Sequence, residues 1–204
     1  MKHTGIMILA AGASLRLGRA KQLLPFQNKT LVQHIATEAM STKAAAVVVV
    51  TGANAEEISA VLAESPIDLA YNENWRQGMG SSIRTGLAFL QNLPHTLQSV
   101  IICVCDQPFV TTGLFEQLVG KKRETGKGII ACAYAGTLGT PVLFDGIYFE
   151  QLQTLEVTDG AKCLVNKYPG DVASVSFTSG QIDIDTEEDY NNLLLQKNDS
   201  IYKR

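Results

Sequence analysis

Short runs of uninterrupted apolar residues recur along the chain, and helix-length amphipathic stretches separate most of them. The runs are Ile6–Ala10, Ala46–Thr51, Ile67–Tyr71, Val100–Cys105 and Ile129–Ala133. Hydrophobicity that is continuous rather than alternating, as in VVVV at 47–50 and VIICV at 100–104, marks strands covered on both faces. That is the condition of a mainly parallel sheet with helices on either side. Segments Lys29–Ser41, Asn54–Glu64, Ser81–Gln91 and Thr112–Glu124 carry helical spacing, and several open with a Ser, Thr or Asn able to cap free N–H groups. The fold class this predicts is α/β, a three-layer αβα sandwich. Beyond about residue 134 the pattern loosens into glycine-rich punctuation, with helical stretches near Ile147–Thr154 and Ala161–Tyr168. A small lobe over the sheet is expected there, then a strand at Gln181–Ile184, a helix from about Glu187 to Gln196, and a frayed tail, NDSIYKR.

Charge narrows the function. Across 204 residues, 17 Lys and Arg stand against 20 Asp and Glu, a net charge of −3. No basic field exists to hold nucleic acid or an anionic membrane non-specifically. The apolar run after Lys2, with its Ala11-Gly12-Ala13 triplet, is too short for a secretory leader, and no segment approaches a membrane span. The expected setting is the cytoplasm. Cys103, Cys105, Cys132 and Cys163 lack zinc-site pairing and read as free thiols, the first two sharing one strand face. His3, His34 and His95 show no metal-ligand spacing and read as structural or surface residues.

The segment LAAGASLRLGRAKQLLP, Leu9–Pro25, runs from a buried strand into a loop with Gly12, Ser14, Gly18 and three cations, Arg16, Arg19 and Lys21. Small residues let backbone N–H groups approach a polyphosphate, and cations offset its charge at a strand's carboxyl end. Neither the P-loop spacing nor GxGxxG is present. Asp106 follows the strand VIICVC, which puts a carboxylate at the same edge. It suits a hard cation such as Mg2+, or equally the cap of the helix beyond Pro108. In DIDTEEDY, Asp183 and Asp185 alternate with Ile and point the same way, so either can reach that cation. Glu187, Glu188 and Asp189 suit a helix's first turn. Gly78, Met79, Gly80, Ser81 and Ser82 precede a helix, where they can read a base edge through the backbone or form an ordinary capped start.

The first-loop string resembles the signature LAAGxSxRxGxxKxLLP of the nucleotidyltransferases related to molybdenum cofactor cytidylyltransferase and guanylyltransferase. The likeness continues in order through NENWRQGMGSSIRTGL (72–87), CDQPFV (105–110), GTPVLF (139–144), DGAK (159–162) and DIDTEEDY (183–190). It implies a Rossmann-like sandwich forming one domain over 1–204, with a nucleotide-binding half to about 110 and an acceptor-binding half from about 111. It places Leu9, Ala10, Ala11 and Gly12 against base and ribose, Arg16 and Lys21 on the triphosphate, and Gly80, Ser81 and Ser82 at the nucleotide. Lys21, Arg16 and Asp106 become the catalytic residues, and Asp106 with Asp185 the Mg2+ ligands, Asp183 being a supporting charge. Arg19 falls on a variable position and reads as a solvated loop charge.

Gly139, Thr140, Pro141 and Lys162 fall where the family binds its acceptor. Thr140 stands where His is commoner and Lys162 where Arg is frequent, which removes one polar contact to the acceptor and replaces a bidentate fork with a point charge. The implied reaction moves CMP from CTP to a pterin-phosphate acceptor, and LAAG rather than LAGG favours cytosine. A molybdenum hydroxylase apoenzyme is the expected recipient of the product. The rival readings are a guanylyltransferase, a sugar-phosphate nucleotidyltransferase of the same fold, and a non-catalytic cofactor carrier.

Overall fold

The structure, a computed structural model, describes residues 1–94 and 96–201; His95 and residues 202–204 of the tail lie outside the described residues. In chain order the strands are β1 (Thr4–Leu9), β2 (Pro25–Phe26), β3 (Lys29–Thr30), β4 (Ala46–Thr51), β5 (Asp68–Tyr71), β6 (Ser99–Val104), β7 (Ile129–Tyr134), β8 (Thr137–Asp145) and β9 (Val172–Ser176). The helices are α1 (Leu31–Met40), α2 (Ala55–Leu62), α3 (Met79–Gln91), α4 (Thr112–Thr125), α5 (Phe149–Gln153), α6 (Lys162–Lys167) and α7 (Glu187–Ile201). The last helix thus runs on into the stretch expected to fray.

Seven strands form one sheet in the order β5-β4-β1-β6-β8-β7-β9, while β2 and β3 pair as a separate short ribbon. Only β8 runs against its neighbours in the large sheet. Ile6 and Ile8 of β1 join Ile101 and Cys103 of β6 in a core under α1, α2 and α4. Met7 and Leu9, one residue out of phase, pack with Ile102 under α3, α5 and α6. The continuous apolar runs are therefore strands buried twice, as three layers require.

Helix starts follow the local chemistry. Thr30 and Gln33 form a reciprocal capping box on α1, and Thr111 caps α4, which closes on Gly126 at φ 66°. Asp106 is accordingly not a cap.

The second half divides its residues between two tasks. Strands β7, β8 and β9 extend the sheet itself, and the expected lobe is the α5–α6 region laid over one face. The strand expected at Gln181–Ile184 does not form: residues 178–181 make a 3-10 turn, and Ile184 instead donates its N–H to the Asp106 carbonyl. Extended backbone at Ile182 preserves the alternation that the strand reading relied on. Cys103, Cys105 and Cys132 are buried and free, and burial pushes the Cys105 and Cys132 thiols up to about 12. Among the described residues no helix is long and apolar enough to cross a membrane.

Asp171 fastens the start of β9 to β7. Its carboxylate accepts from Tyr148 Oη at 2.6 Å and from the Gly128 N–H at 3.0 Å. The Tyr148 bond, against burial and helped by Gly128 and Lys127, holds its pKa below the ordinary value. A carboxylate with a depressed folded pKa stabilises fully above its unfolded pKa, near 4, and loses that contribution as pH falls through the folded value. Asp171→Asn is therefore expected to be about 1 kcal/mol less stable than wild type at pH 7. Thermal melts of the two proteins should converge on acidification below about pH 4; a constant difference in Tm would remove the charge from the account.

Candidate functional site

The chain leaves β1 in one direction for β4 and β5, then returns to place β6 on the other side. Ligands of such sheets bind where the order reverses, outside the carboxyl ends of the strands. The loop after β1 meets the end of β6 at that point. Ala10 donates to the Val50 carbonyl, and Ala11 accepts from Ala53, so the loop is moored to β4. Its far side packs Leu17 and Leu24 against Ile184, Tyr190 and Leu193. That small core brings the DIDTEEDY segment alongside the loop.

Four charged side chains from these segments converge. Lys21 Nζ lies 2.5 Å from Asp106 Oδ2 and 3.0 Å from Asp185 Oδ1, and Arg16 Nη2 lies 2.6 Å from Asp185 Oδ2. Burial alone would lower the Lys21 pKa, but Asp106 and Asp185 raise it well above its usual range. Burial likewise opposes ionisation of Asp185, and the Lys21 and Arg16 cations overcome it, holding the carboxyl below its usual value. Asp183 has the opposite balance: burial and the nearby Asp106 and Asp185 charges outweigh its backbone hydrogen bond and the Lys21 cation and push its pKa up. Asp189 braces the segment by accepting from the Thr186 N–H at 2.8 Å.

Two adjoining cavities meet at Asp106. The first, about 250 Å³, is lined by Leu9, Ala10, Ala11, Gly12, Lys21 and Ser82, with Trp75 on its wall. The second, about 410 Å³, is lined by Gly139, Thr140, Lys162 and Asp183 among others. Both share Met79, Val104 and Asp106. Arg16, 72% exposed, and Asp185 stand one ion pair outside the first cavity. Arg19 is held away from the group by both oxygens of Glu187, with its guanidinium over the Tyr190 ring.

The segment at 78–82 departs from the sequence reading. Helix α3 begins at Met79 with Gly78 as its cap, so Ser81 and Ser82 lie inside its first turn and neither caps it. Both hydroxyls accept from the buried Asn72 amide, at 2.8 and 2.9 Å. Gly80 borders neither cavity; a Cβ there would stand 2.1 Å from the Glu156 carbonyl oxygen. The structure thus brings Ser82 to the first cavity and turns Gly80 and Ser81 into protein contacts.

On the second side, Pro141 is buried within β8 and does not line the cavity. Thr140 Oγ1 donates to Gln107 Oε1 at 3.0 Å, and Gln107 Nε2 donates to the Gly180 carbonyl at 2.9 Å. Lys162 Nζ donates to Thr137 Oγ1 at 2.7 Å. Gln107 and Tyr134 line the cavity although their residue types alone gave no signal, and Met79 joins them from the 78–82 segment. Their common mark is position: Tyr134 ends β7, Gln107 follows β6, and Met79 opens α3.

A mainly parallel sheet whose switch point holds a cation-bearing small-residue loop beside strand-end carboxylates is an α/β fold with a site suited to a polyphosphate, and comparison with known proteins makes its class that of the nucleotidyltransferases. The chain belongs to the MobA-like NTP transferase domain family, whose model matches residues 6–172. It is 32% identical to the nicotine blue oxidoreductase of Paenarthrobacter nicotinovorans, over 94% of this chain and 96% of that one. It is 26% identical to the molybdenum cofactor cytidylyltransferase of Escherichia coli, over 93% and 95%. The crystal structure of Rv0371c from Mycobacterium tuberculosis, a complex with manganese, superposes with a TM-score of 0.78 at 25% identity, covering 94% of this chain and 98% of that one.

Proposed function

We propose that the protein transfers a nucleoside monophosphate, CMP from CTP, to the phosphate of a molybdopterin-type acceptor and releases pyrophosphate. The observation that carries this reading is the meeting of two cavities at Asp106, with Lys21 bridging Asp106 and Asp185. The triphosphate occupies the cavity of the first loop, and the acceptor the cavity of the second half. An acceptor phosphate oxygen forms the new bond to the α-phosphorus, the bond from that phosphorus to the bridging oxygen breaks, and both electrons leave with pyrophosphate. In this reading Lys21, on the wall of the triphosphate cavity, and Arg16, one ion pair outside it, offset the negative charge that accumulates on the departing group, and such fixed cations favour the transition state over the ground state.

The donor set fits a hard divalent ion. Asp106 and Asp185 are oxygen ligands that already satisfy one cationic atom between them. Two carboxylates match the need of Mg2+, an ion that takes one or two such ligands and keeps phosphate and water in its remaining positions. Bound there, Mg2+ supplies Lewis-acid polarisation of the phosphate oxygens.

The likeness to the cytidylyltransferase of Escherichia coli supports CTP. The LAAG spelling, which puts Ala11 on the wall of the first cavity, supports it less directly. A molybdenum hydroxylase apoenzyme is the recipient proposed for the product.

Purified protein incubated with Mg2+, molybdopterin and each of CTP, GTP, ATP and UTP should release pyrophosphate and yield a cytosine dinucleotide by mass. A guanine product would keep the chemistry and overturn the base. Turnover with sugar phosphates alone would move the acceptor. The Paenarthrobacter relative makes a redox reaction of nicotine blue the rival activity. Turnover of nicotine blue with an added electron donor or acceptor, and no pyrophosphate release under any condition, would establish it instead.

Gly12 offers a sharper internal check. A Cβ there meets nothing within 4 Å, and its backbone is not left-handed. Gly12→Ala should therefore melt no lower than wild type, through reduced unfolded-state entropy. Because the new methyl enters space reserved for the nucleotide, CTP affinity should fall about tenfold by calorimetry. Unchanged affinity would place the nucleotide elsewhere.

A further inference from the structure

We infer that Gln22 is a positioning residue which aims the backbone donors of the first loop into the nucleotide cavity. This assignment rests on the nucleotidyl-transfer reading and extends it to a side chain the reaction itself does not require.

Gln22 follows Lys21 in the short turn and is 1% exposed. A buried primary amide must find partners for its two donor hydrogens. Gln22 Nε2 donates to the Ala10 carbonyl at 3.0 Å and to the Gly12 carbonyl at 2.7 Å. Its Oε1 faces Ser14 Oγ at 3.4 Å, and Ser14 Oγ in turn accepts from the Lys21 N–H at 3.1 Å. The Ala11 carbonyl between them accepts from the Ala53 N–H at 3.0 Å. Three consecutive carbonyls are thus turned into the protein.

Peptide planarity converts this into a statement about donors. In a trans peptide the N–H of each residue points opposite the carbonyl before it. Fixing the carbonyls of Ala10 and Gly12 therefore fixes the N–H groups of Ala11 and Ala13, while Ala53 fixes that of Gly12. None of these three N–H groups has an acceptor among the described residues. Ala11 and Gly12 line the cavity, and the space beside Gly12 is open. A run of unpaired N–H groups at a cavity wall is a receptor for acceptor atoms, phosphate oxygens or base carbonyls. Beyond the end of β1 no ladder reaches the Ala10 and Gly12 carbonyls, and the Gln22 amide takes its place.

Gln22→Met keeps the side chain's length and removes both donors. The probe is whichever of CTP, GTP, ATP and UTP the wild type binds most tightly. Its dissociation constant should rise about tenfold or more, while affinity for the acceptor stays near wild type. In wild type, amide hydrogen exchange over residues 11–13 should be fast in the free protein and become protected when that triphosphate binds. A merely structural glutamine would lower Tm and weaken both substrates alike, and that pattern overturns the assignment. So does unchanged triphosphate affinity in a folded variant. Should Gln22→Met fail to fold, amides at 11–13 that triphosphate leaves unprotected in wild type would overturn it independently. A wild type that binds no triphosphate overturns the proposed function and this assignment together; binding by wild type with no loss in the variant overturns this assignment alone.

Discussion

Lys21→Met is expected to slow pyrophosphate release by about 100- to 1,000-fold, the range seen when one fixed stabiliser of developing charge is removed. The same variant should bind Mn2+ more tightly than wild type when nucleotide is absent. The two effects have one origin. In the free protein the Lys21 ammonium sits between Asp106 and Asp185, at 2.5 and 3.0 Å, with the lysine side chain only 16% exposed. It neutralises both carboxylates, and for Asp185 it offsets the burial that would otherwise disfavour the anion. Methionine fills similar volume without charge, so the carboxylates lose their internal counter-ion and attract an external one. Once the triphosphate is present, Lys21 has phosphate oxygens to serve and its absence is felt as lost rate. Wild-type turnover in the variant would remove Lys21 from the reaction. Lost turnover with unaltered Mn2+ affinity would show that the ammonium does not compete with metal for these acids. Magnetic resonance of free Mn2+ measures the second quantity without any turnover.

The parts of the molecule legible in sequence are those whose physics is local. VVVV and VIICV declare burial on two faces because no polar residue interrupts them, and the sheet centre follows. Lys21, Asp106 and Asp185 were legible through a strand-end position or a signature string, and the structure brings the three together. The sheet's far edge was harder. Strands β7 and β8 are joined by Ala135 and Gly136, both at positive φ, as a two-residue hairpin demands. Asn-Gly or Gly-Gly would have announced that turn; Ala in the first position conceals it. Asp183 and Asp185 alternated as in a strand, yet no ladder forms there, because Ile184 finds its partner in the Asp106 carbonyl, far away in sequence. For Ser81 and Ser82 the sequence offers base readout or a helix cap, since capping is a short-range rule. Their actual partner, Asn72, belongs to the loop after β5. Hydrogen bonds across such distances leave no periodic trace.

Gly80→Ala should cost about 3 kcal/mol, the upper end of ordinary overpacking, and lower Tm by about 6–12 °C for a chain of this size. The argument begins with what Gly80 touches. Its N–H donates to the Val157 carbonyl at 3.0 Å, and an added methyl carbon would stand 2.1 Å from the Glu156 carbonyl oxygen and 3.1 Å from that of Asp159. Those atoms are backbone and cannot swing aside as a side chain would. Arg84, one turn further along α3, donates to the Leu155 carbonyl at 2.6 Å, so the whole 155–159 segment is docked on this helix. Relief of the clash must therefore lift that segment from α3 and disturb Gly160 and Lys162, which line the second cavity. Activity will fall with stability, and acceptor affinity should suffer before nucleotide affinity. This is the reverse of Gly12→Ala, where the methyl meets no protein atom and the loss falls on nucleotide alone. Two Gly-to-Ala changes at the same edge of the sheet thus separate packing from recognition. If Gly80→Ala instead kept its Tm and weakened only the nucleotide, base readout at position 80 would be restored and the docking account of α3 would fail.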